Sequence, residues 1–361
     1  MERAEALHTI DAVQERALIV EILTSLGARD DEARDQAHLL VEADLRGRPS
    51  HGVQRLPVIV QRIRAGLLRP GTTPSLTWAA DALVRVDGRR GFGPHVALRA
   101  ADAIAERAAR TGIAAAAIRN ASHLGMLAPY VEALAARGLT GLAFTTSEAL
   151  VHPWGGRAAL VGTNPIALAL PTDDEPFVLD MATGAISRGE VIARAARGQP
   201  LPQGAAVDSE GRPTTDPAAA EAISPFGGAK GFALGLGLEL LVASLTETAL
   251  GEEVRGTLDV TDPVTKGDLL IAFDPAAAGV APFGSCVADY LRTLRATPPA
   301  AGSSAVTIPG DRARAERSRR LAEGIALPLG LWDELVALRD ELGGLRDELG
   351  GVRDEPGGLR D

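Results

Sequence analysis

The sequence of 361 residues predicts a mixed α/β fold whose strands do not alternate regularly with helices, and three patterns carry that expectation. Residues 11 to 45 repeat apolar side chains at helical spacing. Residues 83 to 147 read as strand, helix, strand, helix, strand. Two later strand-like runs, "PFVLDMAT" and "GDLLIAFDP", are separated by one long apolar helix.

Taken in order, Leu18, Val20, Ile22 and Leu23 form a helical face that Gly27 stops, and an Asp pair starts the next helix. After "RGRPSHG" a second run, with Leu56, Ile59, Ile63 and Leu67, ends at "RPGTTP". Pro57 fits only if that helix begins just before it, which places Ser50, His51 and Gly52 at a loop-to-helix junction. "ALVRVDG" reads as a strand, "HVALRAADAIAERAARTG" as an Ala-rich helix stopped by Gly112, and "IAAAAIRN" as a strand. "LAPYVEALAARG" then reads as a helix and "LTGLAFTTS" as a strand. The stretch "GFALGLGLELLVASL" carries Glu239 and is shorter than a bilayer span, so a buried helix is expected there. From Leu338 the repeat "LRDELGG" spaces Leu338, Leu342, Leu345, Leu349 and Val352 as in a coiled coil. Its two glycines per repeat cost about 2 kcal/mol of helix propensity, and Pro356 ends any helix, so a largely disordered tail is expected over 338–361.

A net charge of -10 argues against nucleic-acid or anionic-membrane partners and towards small molecules. The single Cys286 forms no internal disulfide, and "MERAEALHTI" lacks the pattern of a signal peptide, so a cytoplasmic protein is expected. No G-x-G-x-x-G follows a strand, and no P-loop, H-E-x-x-H or G-x-S-x-G occurs. The six histidines, His8, His38, His51, His95, His123 and His152, show no i, i+4 pairing, so no metal site is expected. What remains are polar or Gly-rich segments between the elements. In "RGRPSHGVQR" a histidine that titrates near neutrality is followed four residues later by an arginine, either a basic surface turn or a pairing able to move a proton and hold an anion. Lys230, in a Gly-rich segment before a helix, suits a phosphate, and Asp180, ending a strand beside a small-residue turn, suits either a ligand hydroxyl or a helix cap.

In their order, "DLRGRPSHGVQRLP", "NASHLG", "GTNPIALALP", "LDMAT" and "PFGGAKGFALGL" resemble the malate/L-lactate dehydrogenase family over about residues 15 to 330. "ISPFGGAKG" and "TKGDLLIAFDP" look most like its archaeal sulfolactate/malate branch. The resemblance implies a non-Rossmann NAD(P)-binding fold with a mixed, largely antiparallel central sheet, plus a helical domain formed by both terminal segments. In those terms residues 1–76 carry the SHG motif, 77–285 form the cofactor domain, 286–337 pack back on the N-terminal segment, and 338–361 are the tail. It also implies a homodimeric oxidoreductase of small 2-hydroxy and 2-keto acids. A cyclic imine reductase, a ureidoglycolate dehydrogenase and a non-catalytic nucleotide-binding protein are the alternatives.

Matched position by position, the resemblance implies His51 as acid/base with Ser50 orienting it, and leaves the choice between His51 and His123 open. Arg55 would hold the substrate carboxylate. Cofactor contacts would fall on Ser147, Asp180, Met181, Ala182, Lys230, Gly231 and Asp274. Asp274 stands where asparagine is frequent, and its added negative charge fits NAD better than NADP. Arg48, just before SHG, is either a solvated side chain or reaches the pocket mouth to meet a second anionic group on the substrate.

Overall fold

The computed structural model describes residues 6–257, 259–279 and 283–350. The chain opens with β1 (Leu7–Ile10) and α1 (Ala12–Ser25), whose start is fixed by Asp11: its carboxylate accepts from the N–H groups of Val13 and Gln14 at 2.8 and 2.7 Å. α2 (Asp30–Leu45) follows, then two single 3-10 turns, Pro49–His51 and Val53–Arg55, and α3 (Leu56–Arg64). Pro57 occupies the first turn of α3, as its missing N–H requires.

The middle of the chain supplies β2 (Ser75–Ala80), β3 (Leu83–Asp87), α4 (Gly93–Thr111), β4 (Ile113–Arg119), α5 (Ala128–Ala135), β5 (Thr140–Thr145), β6 (Ala149–Val151) and β7 (Val161–Gly162). Next come β8 (Ile166–Leu170), β9 (Phe177–Met181), α6 (Arg188–Ala196), β10 (Ala206–Val207), β11 (Pro213–Thr214), β12 (Ala222–Ile223) and α7 (Ala229–Thr246). β13 (Gly267–Phe273), α8 (Gly284–Arg295), α9 (Asp311–Glu323), β14 (Ile325–Pro328) and α10 (Leu329–Gly350) complete it.

Seven strands form the central sheet in the order β2-β3-β4-β13-β5-β8-β9. Only β3 and β4 pair in parallel; every other neighbouring pair is antiparallel, so the sheet is mixed and largely antiparallel. Alanines dominate one face: Ala97, Ala100, Ala101 and Ala108 of α4 meet Ala114 and Ala116 of β4, and their small size lets helix and sheet approach closely. A second, smaller sheet, β11-β10-β12-β6-β7, is built from strands of two or three residues.

The two ends of the chain share a core of their own. β1 pairs antiparallel with β14, and Leu18, Ile22, Leu40 and Leu56 pack with Ile325, Leu327 and Leu335. Arg317 of α9 holds buried Glu42 of α2, which also meets Arg46, and Arg46 makes a two-pronged bond to Glu132 of α5. This relay ties the terminal helices to the helix beneath the central sheet.

Two expectations are corrected here. The "LRDELGG" repeat is helical as far as Gly350, because Leu338 and Leu342 pack on the terminal core and tertiary burial outweighs glycine's poor propensity. The last repeat, from Val352, lies outside the described residues. α7 is not a wholly buried helix: Gly235, Leu238 and Val242 face inward, while Leu234, Leu240, Leu241 and Leu245 are exposed. It is long and apolar enough by composition to cross a membrane, yet it packs on β13, β4 and β7.

The tail carries a test of this reading. A Cβ at Gly343 or Gly344 meets nothing within 4 Å, so Gly343→Ala and Gly344→Ala are each expected to raise stability by about 1 kcal/mol. Chemical denaturation would show no gain if the segment were unfolded in solution.

Candidate active site

The SHG turn is shaped from below. Asp44, near the end of α2, is fully buried and accepts from the N–H of Val53 at 2.6 Å. Its carboxylate lies so close to Gly52 that a Cβ there would overlap it, so this position admits only glycine. Glu15 of α1 lies buried beside Asp44; burial pushes the Asp44 carboxyl up to about 6, and burial together with the Asp44 charge pushes Glu15 up to about 10, so Glu15 stays protonated beneath the turn.

Above that floor the Ser50 hydroxyl lies 3.1 Å from Nδ1 of His51. Arg55 donates from Nε to the carbonyl of Ser50 at 2.9 Å and from Nη1 to the carbonyl of Thr257 at 3.2 Å. The second histidine arrives from the loop after β4. Asn120 takes a left-handed φ of 56° there, and Gly93 is required because a Cβ would strike the carbonyl of Ser122. His123 stacks on His51 with centroids 5.6 Å apart at 27°. Its Nδ1 accepts from the N–H of Gly125 at 3.2 Å, so a neutral His123 carries its proton on Nε2 and faces the pocket as a donor.

Both rings are held uncharged. Burial, then Arg55 and Arg48, push His51 down to about 4. Burial, then Arg55, His51 and Lys266, hold His123 well below the ordinary histidine range. His51, His123 and Arg55 line one pocket with Ser122 and Thr257. An anionic substrate entering it meets cationic guanidinium and neutral imidazole.

The expected cofactor residues divide. Thr183 follows Met181 and Ala182 at the end of β9, and its carbonyl accepts from Phe226 N–H at 3.0 Å, which brings β9 to the start of α7. Gly189, at the start of α6, lies against Ser50, so the SHG turn joins the same neighbourhood. Lys230 is exposed in the first turn of α7. The N–H groups of Ala229, Lys230 and Gly231 have no acceptor among the described residues. Gly231 is obligatory, since a Cβ would overlap the carbonyl of Phe226. Free N–H groups and a lysine at a helix start fit the pyrophosphate of a dinucleotide.

Ser147 is drawn to the GTNP turn, bonding Thr163 at 3.1 Å. Asn164 of that turn, at φ 30°, is pinned to Glu239 of α7 at 2.6 Å. Asp180 does cap a helix: one oxygen accepts from the N–H groups of Leu127 and Ala128 at 3.0 and 2.8 Å. Its other oxygen has no donor among the described residues and remains available to a ligand.

Asp274 does not join this group. Gly267, at the start of β13, lies at the site end of the sheet opposite Arg119, whereas Asp274 follows the other end and caps a turn through Ala276 N–H at 2.9 Å. Seven residues of strand separate the two, about 20 Å. The preference for NAD over NADP drawn from Asp274 therefore has no footing at that position.

Sequence reasoning missed Asp44, Gln36 and Arg62, and did not foresee the buried ion pair in "TKGDLL". There Lys266 Nζ sits 2.5 and 2.6 Å from the two oxygens of Asp268, with both residues almost wholly buried. The available signal was an aspartate inside an otherwise apolar strand and a glutamine on the core-facing side of α2.

Comparison with known proteins accords with this geometry. Residues 10–336 match the family described as malate/L-lactate dehydrogenase. A malate/(S)-sulfolactate dehydrogenase of Methanothermus fervidus is 35% identical, with 90% of this chain and 96% of the relative covered. A Delta(1)-pyrroline-2-carboxylate reductase of Burkholderia multivorans is 37% identical over 91% and 98%. The solved structure of a dehydrogenase from Sinorhizobium meliloti superposes with a TM-score of 0.88 at 48% identity, covering 93% of this chain and 99% of that one.

Proposed function

The chain belongs to the malate/L-lactate dehydrogenase family of oxidoreductases, and from that premise we propose that it interconverts a small 2-hydroxy acid and its 2-keto acid with NAD or NADP, using His51 as acid/base. A bound nicotinamide supplies and takes back the hydride. Arg55 holds the α-carboxylate by a charge-assisted bond. His51 gives a proton from Nε2 to the carbonyl oxygen in reduction and removes it in oxidation. In the basic form Nδ1–H donates to Ser50 Oγ, which fixes the tautomer and the ring plane.

The single observation that carries this division of labour is the bond from Gly125 N–H to His123 Nδ1. It commits neutral His123 to the Nε2–H form, a donor that polarises the carbonyl but takes no proton from it. In His51 it is Nδ1 that lies against Ser50, which leaves Nε2 to take the proton. Ser147, Asp180, Met181, Ala182, Lys230 and Gly231 hold the cofactor in this reading, with Lys230 at the phosphates. Arg48, exposed and near enough to Asp180 and His51 to influence both their charges, sits at the mouth.

Following NADH and NADPH oxidation spectrophotometrically with oxaloacetate, 3-sulfopyruvate, pyruvate and a cyclic imine tests the proposal. Turnover of a 2-keto acid supports it, and turnover of the imine alone replaces it with the second reading. That second reading rests on the apolar pocket wall of Leu39, Leu40, Val58 and Ile59, which suits a ring.

The proposal extends to a homodimer. Leu234, Leu241 and Leu245 lie at i, i+7 and i+11 on the exposed face of α7, a stripe that a second copy would cover. Leu241→Glu is expected to shift the light-scattering mass towards the monomer. An unchanged mass would place the contact elsewhere.

A further inference from the structure

We propose that Gln36 and Arg62 form a distal subsite that receives the second anionic group, a carboxylate or sulfonate, of a dianionic 2-keto acid whose α-carboxylate lies on Arg55. This rests on the hydroxy-acid reading of the same pocket and adds its substrate class.

Three observations converge. Arg62 lines the pocket that holds His51, His123 and Arg55, and is only 3% exposed. Its Nη1 and Nη2 donate to the carbonyls of Asp259 and Asp262 at 2.5 and 3.2 Å, yet its buried Nε has no acceptor among the described residues. Gln36, 5% exposed, lines the same pocket from α2, and its amide makes no hydrogen bond among the described residues. A buried guanidinium nitrogen without an acceptor, beside an unpartnered amide that lines the same cavity, is rare in folded proteins, and a bound anion that accepts from the amide and lies against the guanidinium lowers the penalty.

The spacing suits a short dianion. Arg62 follows Arg55 by seven residues, two helical turns on the same face, or about 10 Å along the axis. Helical side chains lean towards the N-terminus, which tips Arg62 back over the pocket towards Arg55. No carboxylate side chain is among the residues lining the pocket, whereas two guanidiniums are. Two acids lie just outside the lining: Asp259, 3.9 Å from Nη1 of Arg62, and Glu148, which accepts from Thr257 and acts on the charge of both Arg55 and Arg62.

Arg48 is the competing cation. It is exposed at the mouth, where water screens its charge, while Arg62 acts from a buried position. A substrate without a second anion leaves Nε and the amide unsatisfied, so the site discriminates against it as sites with buried hydrogen-bonding groups do.

Initial rates of the full-length protein with oxaloacetate, 3-sulfopyruvate, pyruvate and 2-oxobutyrate, for wild type, Arg62→Met, Gln36→Met and Arg48→Ala, test this. Malate and lactate are also titrated calorimetrically into each. The expected result is a wild-type preference for the dianions and a fall in the dianion-to-pyruvate ratio of kcat/KM by about ten- to a hundredfold in Arg62→Met, mainly through KM. Gln36→Met, which keeps the loop contacts of Arg62, is expected to lower the ratio by about three- to tenfold. Arg48→Ala is expected to leave it unchanged. Equal losses on all substrates, a ratio moved only by Arg48→Ala, or a wild-type preference for 2-oxobutyrate would overturn the subsite. Should no 2-keto acid turn over, the hydride-transfer reading fails by itself. Malate binding that weakens in both the Arg62 and the Gln36 variants would then still support the subsite, and malate binding unaffected by them would overturn it.

Discussion

His51→Ala is expected to lower kcat by about 10²- to 10⁴-fold, the usual contribution of a positioned general acid/base, with cofactor affinity close to wild type. The cofactor contacts proposed here lie just after β5, at β9 and at the start of α7, so the ring can be removed without touching them. His123→Ala is expected to cost less, because a neutral donor polarises the carbonyl without carrying the proton. The pH dependence gives the two histidines separate signatures. Oxidation of the hydroxy acid requires neutral His51, and burial together with Arg55 and Arg48 keeps it neutral down to about 4. The acid limb of kcat/KM, which reports the free enzyme, is therefore expected near pH 4 and not near the ordinary histidine value of about 6.5. Arg48→Ala, by removing one of the nearby cations, moves that limb upward. A limb that stays in place in His51→Ala, or turnover lost in His123→Ala and retained in His51→Ala, would transfer the proton-moving role to His123.

Much of the candidate site was legible because the residues proposed to touch substrate lie in short segments with unusual composition. A histidine between serine and glycine, followed by Arg55, announces itself, and so does the "NASHLG" loop after an apolar strand. The long strands and helices were also readable, since five or more residues suffice to show a period. β10, β11 and β12, with two residues each, show none, and the second sheet was invisible for that reason. Asp274 was misplaced because a motif gives position along the chain but not which end of β13 faces the site. The tail as far as Gly350 was misread because propensity counts the glycines, while Leu338 and Leu342 answer to a core assembled from the other end of the chain. Gln36 was overlooked for a related reason. It reads as an ordinary polar helix residue until its neighbours Ala33 and Leu40 are seen to be buried with it.

Gly52→Ala is expected to be the most damaging change outside the reacting residues, even though it adds one methyl group to a position that touches no substrate. Its φ of -90° is one any residue adopts, so backbone strain is not the cause. The cause is overlap: the added Cβ would collide with all three carboxylate atoms of Asp44. Asp44 cannot retreat cheaply, because its Oδ2 accepts from Val53 N–H at 2.6 Å and it is fully buried beside Glu15. Either the SHG turn lifts away, carrying His51 off the pocket, or Asp44 swings out and leaves the Val53 N–H unpartnered. Overpacking of this kind costs about 1 to 3 kcal/mol, and each orphaned buried group about 1 to 3 more. Denaturant unfolding of Gly52→Ala should thus show a loss of about 2 to 5 kcal/mol, together with a kcat reduced at least tenfold by the displaced acid/base. A second substitution separates the two causes. In Gly52→Ala with Asp44→Ala the collision disappears while the Val53 N–H stays unpaired, so part of the lost stability returns and the two changes are non-additive. Strict additivity would show that Asp44 and Gly52 do not meet in solution, and a Gly52→Ala protein of wild-type stability and kcat would remove the buried acid pair as the floor of the catalytic turn.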